Sequence, residues 1–186
     1  PALQIEGDIS RRGVGMYDMM NGIGAHEVII ETPEHDKSLS QLSDEQVGKV
    51  ISAYIDRGVD LKKDTRFEYI LIFKNYGEDA GASLEHPHSQ LIATPIVPRR
   101  VVEEIRGSHQ YFEYKERCVF CDIIRQELSS TERIVTENTN FISFEPFAPR
   151  FPFETWILPK KHMSDFFELS NDMIIDLSRI LKETIG

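Results

Sequence analysis

Cysteine is almost missing from this 186-residue sequence: there are two, Cys118 and Cys121, three positions apart. A secreted fold stapled by disulfides is not expected, since a single pair closing so short a loop builds no framework. Long apolar runs are missing as well. None approaches the roughly 18 residues needed to cross a bilayer, and the N-terminus lacks the basic stretch and apolar core of a signal peptide. We therefore expect a cytoplasmic protein with no membrane partner. Basic residues are scarce, 21 Lys and Arg against 31 Asp and Glu, for a net charge of −10. That balance argues against a protein built to grip a nucleic-acid backbone, though not against a local nucleotide site. Lys160, Lys161, Arg99 and Arg100 read as solvated charges. An initiating methionine is absent, the sequence opening on Pro1, and a helical pattern runs up to Gly186. Parts of any site are thus expected outside the chain.

What is present is an ordinary core fraction, 40% hydrophobic, in a mixed pattern of strands with few helices. Residues 1–25 are glycine-rich and expected to be irregular. The β-branched run His26–Thr32 reads as a strand ended by Pro33, with His35 in the following turn. Ser43 is a natural N-cap, and Gln46 three residues on would complete a capping box. Val47, Val50, Ile51, Tyr54 and Ile55 fall at helical spacing, with Gly58 as the expected stop. Phe67–Phe73 is apolar enough to be read as the central strand of a sheet. Residues 99–116 change character, compatible with a helix or a connection. A helix after Cys121, strands near Ile134, Phe141 and Trp156, and a last helix capped by Ser170 or Asn171 complete the pattern.

The most informative stretch is 81–90. In an extended strand, side chains alternate, so His86, His88 and Gln90 would share one face. Pro87 fixes its own φ and pushes His86 towards extended geometry. The small-residue run from Gly77 to Ser83 leads in, and such runs let backbone amides approach an anion. Two imidazoles, an amide and a close-approach loop point to phosphate chemistry, with histidine as nucleophile or metal ligand. Cys118-x-x-Cys121 suits the thiolate pair of a zinc site. A redox pair at a helix N-terminus is the alternative, although no tryptophan precedes it and no βαβ unit surrounds it. His162 is the only histidine after the pair, and His35 and His86 could share a second metal.

Asn75-Tyr-Gly-Glu-Asp-Ala-Gly-Ala-Ser-Leu-Glu-His-Pro-His-Ser-Gln90 resembles the active-site signature of the galactose-1-phosphate uridylyltransferases, in the histidine-triad superfamily. His26-Glu-Val-Ile-Ile-Glu-Thr-Pro-Glu-His35 and Pro152-Phe-Glu-Thr-Trp-Ile-Leu-Pro-Lys-Lys-His162 resemble further stretches of that family. The resemblance implies an α+β fold of histidine-triad-like antiparallel sheets with flanking helices, as two tandem repeats, both incomplete in this chain. Residues 1–98 would close the first repeat, 99–116 connect, and 117–186 open the second. It implies that His88 is the nucleophile taking up UMP from UDP-glucose, and that Gln90 holds the phosphoryl oxygens. Asn75 and Ser83 would contact nucleotide phosphates, aided by the backbone of Gly77 and Gly81. His35 and His86 match ligands of one zinc; Cys118, Cys121 and His162 match a second zinc seen in some members. The implied partners are nucleotide sugars and sugar phosphates, with a homodimer as assembly.

Imidazole is nucleophilic near neutral pH, and transfer between two sugar phosphates is easier as two displacements through a covalent intermediate. Two other readings stay open. Ser89, where many uridylyltransferases have glycine, leaves room for a nucleotide-sugar or dinucleotide phosphorylase. A non-catalytic zinc or nucleotide-binding module would explain the Cys-x-x-Cys but not an in-register His88 and Gln90.

Overall fold

A computed structural model describes residues 3–82 and 84–186. The glycine-rich start is not wholly irregular. A short exposed hairpin, β1 (Arg12–Val14) and β2 (Tyr17–Met19), turns at Gly15, whose φ of 62° favours glycine. The expected His26–Thr32 strand is β3 (Ala25–Ile30), followed by a 3-10 turn at Leu39–Gln41 and by α1 (Asp44–Leu61). Ser43 caps α1 by accepting from the Gln46 amide at 3.1 Å. The reciprocal half of the expected capping box is absent: the Gln46 side chain donates instead to the Glu31 carbonyl at 2.7 Å, tying α1 to the end of β3. Nor is Gly58 a stop. The helix runs a further turn to Leu61, and a Cβ on Gly58 would lie 2.0 Å from the Phe167 ring, so the glycine serves close packing.

β4 (Tyr69–Phe73) and β5 (His88–Thr94) complete an antiparallel sheet in the order β3-β5-β4. The apolar Phe67–Phe73 segment is therefore an edge strand, and the strand carrying His88 is the central one. β5 earns the middle through Leu91 and Ala93, both 0% exposed and packed with Ala25 and Leu61 under the α1 side of the sheet. The opposite face stays open, which leaves Val28, Ile30 and Leu71 exposed and allows β4 to be apolar on both sides without being central.

α2 (Arg99–Lys115) buries no residue and leads through Glu116, at φ 54°, to α3 (Val119–Ser130). β6 (Ile134–Glu137), β7 (Phe141–Phe144) and β8 (Trp156–Pro159) form a second antiparallel sheet in sequential order. Asp165 caps the 3-10 turn Phe166–Glu168, and of the two expected caps Ser170 is the one that opens α4 (Asn171–Ile185). β7 is buried along its whole length because both faces are covered: Ile142 and Phe144 by Ile123 and Ile124 of α3, Phe141 by Met173 and Ile180 of α4. α4 has a second duty. Its Ile174, Leu177 and Leu181 pack on Val47 and Ile51 of α1, so one helix serves both halves. No helix among the described residues is long and apolar enough to cross a membrane.

Candidate active site

Pro87 sets up the site by ending the ladder. It lacks an N–H, so strand pairing resumes only at His88, whose partner is Ile30. The Pro87 carbonyl still accepts from the Glu31 amide at 3.1 Å, which holds the turn against the end of β3. His86 thus lies outside β5, and the expected shared face of His86, His88 and Gln90 holds only for the last two. The imidazole of His86 reaches away to Thr32 and His35.

His88 is 5% exposed, and its Nδ1 lies 2.8 Å from the His86 carbonyl. A carbonyl can only accept, so Nδ1 carries the proton and the lone pair of the neutral ring is left on Nε2. An imidazole held in that tautomer is prepared as a nucleophile. Gln90, on the same face of β5, has its Oε1 2.8 Å from His26 Nε2.

Behind His88 is a buried polar cluster that no motif in the sequence marks. Glu31 is 0% exposed, and its carboxylate accepts from two side chains. Lys74 Nζ donates to Glu31 Oε2 at 2.8 Å and to the His88 carbonyl at 3.0 Å. Ser89 donates to Glu31 Oε1, so its single proton is committed and it accepts from the Tyr54 hydroxyl at 2.5 Å. The signal was there in part: alternation along β3 puts Glu31 on the same face as Ile29, turned towards the helix. Burial, reinforced by the Glu31 charge, pushes the Tyr54 phenol up to about 12. An ordinary phenol titrates near 10, so folding favours the neutral form. That contribution is complete below about pH 10 and is lost as pH rises towards 12. We expect the unfolding free energy to fall by about 2 kcal/mol more across this window than in Tyr54→Phe, measured by denaturant titration at successive pH values.

The loop before the motif closes a cleft of about 710 Å³ lined by His88, Asn75, Gly77 and Lys37 among others. Gly77 and Gly81 have φ of 84° and 75°, and a turn closes between them, with Gly81 N–H to Glu78 O at 2.8 Å. Gly77 borders the cleft; Gly81 shapes the turn rather than lining it. Ser83 lies outside the described residues.

His86 Nε2 is 2.8 Å from the Thr32 carbonyl, so this nitrogen donates and the lone pair is on Nδ1. That Nδ1 faces His35 Nδ1 at 3.1 Å. Two nitrogens on one tetrahedral zinc stand about 3.4 Å apart, given zinc–nitrogen bonds near 2.1 Å. The pair therefore fits a shared ion, with the Thr32 carbonyl orienting one ring. Cys118, Cys121 and His162 form a second group, their ligand atoms all within 4.8 Å and Cys121 Sγ 3.2 Å from His162 Nδ1. Burial, and then the neighbouring Cys118, raise the Cys121 thiol above its ordinary range. Two soft sulfurs beside an imidazole are a donor set that fits zinc.

Two family models match the chain. Residues 4–98 match the N-terminal domain of galactose-1-phosphate uridyl transferase, and residues 104–185 match its C-terminal domain. An ADP-glucose phosphorylase of Arabidopsis thaliana is 36% identical over 98% of this chain and 51% of its own length. A galactose-1-phosphate uridylyltransferase of Thermotoga maritima is 35% identical over 86% of this chain and 49% of its own. The chain thus spans about half the length of these curated relatives. Among solved structures, a uridylyltransferase superposes with a TM-score of 0.91 at 33% identity, over 98% of this chain and 58% of that one. The Arabidopsis thaliana ADP-glucose phosphorylase with bound ADP-glucose gives 0.82 at 37% identity, over 88% and 51%. With both domain models matched in order along one chain, this protein belongs to the galactose-1-phosphate uridylyltransferase family.

Proposed function

We propose that the chain carries the transfer site of a UDP-glucose–hexose-1-phosphate uridylyltransferase. The observation that supports it is the His88 tautomer: Nδ1–H donates to the His86 carbonyl and leaves Nε2 bare at the start of the central strand. Nε2 attacks the α-phosphorus of UDP-glucose, forming an N–P bond as the P–O bond to glucose-1-phosphate breaks. The phosphate oxygen of galactose-1-phosphate then attacks the same phosphorus, releases His88 and gives UDP-galactose. Gln90 and the backbone of the 77–82 turn would stabilise charge on the phosphoryl oxygens, with Asn75, Gly77, Gly81 and Ser83 as the phosphate-binding set. Intact-mass measurement after mixing with UDP-glucose alone tests the reading, since His88 should gain one UMP.

A second reading has its own support in the 36% identity to an ADP-glucose phosphorylase and in Ser89 beside His88. There the adduct would be AMP from ADP-glucose, discharged by inorganic phosphate. Offering both nucleotide sugars, then galactose-1-phosphate or phosphate, separates the two. Uptake of neither nucleotide would overturn the covalent mechanism and favour the third reading, a non-catalytic zinc- or nucleotide-binding module.

We further propose zinc at both ligand groups, His35 with His86, and Cys118 and Cys121 with His162. Bound there, zinc would supply structural cross-linking. Metal analysis should find it, and Cys118→Ser with Cys121→Ser should lower the content by about one ion per chain. The resemblance also favours a homodimer, which sedimentation equilibrium reads directly.

A further inference from the structure

His26 has no part in the chemistry above. It pairs with Ile92 across β3 and β5, one same-face position along from the Val28–Gln90 pair. His26 and Gln90 are therefore diagonal neighbours on the open face of the sheet. The side chain of His26 is exposed, and its Nε2 sits 2.8 Å from Gln90 Oε1.

A glutamine amide has a donor end and an acceptor end of nearly equal size, so shape alone does not choose which faces the substrate. The hydrogen-bond partner does. A protonated Nε2 on His26 donates to the amide oxygen and turns both amide hydrogens towards the open side. A bare Nε2 would attract an amide hydrogen and turn the oxygen outward. Against an anionic phosphoryl group the first polarity attracts and the second repels. Among the described residues, no other side-chain bond holds Gln90.

We propose that His26 is a positioning residue: held as the Nε2–H tautomer, it sets the polarity of the Gln90 amide so that its hydrogens meet the phosphoryl oxygens. The catalytic half of this rests on the transfer reading above; the tautomer does not. Long-range proton–nitrogen NMR of the nucleotide-free protein should place the His26 proton on Nε2, with a resonance that moves in Gln90→Met. A His26 with bare Nε2 overturns the proposal.

Kinetics supply a second arm. At this exposed position, His26→Lys can only donate and His26→Glu can only accept. We expect His26→Lys to keep transfer within about threefold and His26→Glu to lose about thirtyfold, mainly in kcat. Their opposite charges also act through the field, so both are repeated in Gln90→Met, where the gap should shrink to that field effect. An undiminished gap overturns the proposal. A wild-type protein that takes up no nucleotide would remove the transfer reading instead, and the tautomer measurement then decides on its own.

Discussion

His88→Asn should take up no nucleotide and should lower turnover by about 10⁴-fold or more. Asparagine can still donate a hydrogen bond to the His86 carbonyl, so the strand start should keep its shape. It has no basic nitrogen to place where Nε2 stood, and an amide nitrogen cannot form a transferable N–P bond. Thermal unfolding should stay within a few degrees of the parent, which separates lost chemistry from lost structure. An undiminished mass shift in His88→Asn would move the nucleophile elsewhere.

Lys74→Met should be the most destabilising change near the site. Glu31 is fully buried and Lys74 only 21% exposed, so removing the ammonium strands a carboxylate in the interior. Breaking a buried pair from one side costs about 3–5 kcal/mol. For a chain of this size that is a fall in Tm of about 10 °C. The companion Glu31→Gln with Lys74→Met removes both charges and keeps an oxygen for Ser89. It should recover at least half of the loss, because most of the penalty belongs to the unpaired charge rather than to the pair. A loss in Lys74→Met below about 1 kcal/mol would mean that the pair behaves like an exposed one. Lys74 also holds the His88 carbonyl at 3.0 Å, so the same variant should loosen the start of β5 at His88.

Much of this was legible from residue order. Ser43 and Ser170 announce their helices because a hydroxyl before an apolar period answers orphan amides. The 81–90 stretch marks a candidate site because histidine, proline and glutamine at that spacing have few purely structural uses. Other features depend on distance in space. Gly58 reads as a stop until Phe167, far along the chain, is seen to lie against it. Phe67–Phe73 reads as central because periodicity reports apolar faces and not which of them are covered. Glu31, Tyr54 and Lys74 are unremarkable one by one, and only folding brings them onto Ser89 and the His88 backbone. His86 escapes its expected face because Pro87 interrupts the strand before alternation can apply.

The central place of β5 bears on how such a site can diverge. Ser89, Leu91 and Ala93 are shut in beneath α1, so change there disturbs the core. Gln90 and Ile92 alternate with them and face away from it. Stability and chemistry are thus inherited through alternate letters of one seven-residue strand. A lineage can rewrite the outward letters, and with them the open face that Gln90 shares with His26, while leaving the inward ones untouched.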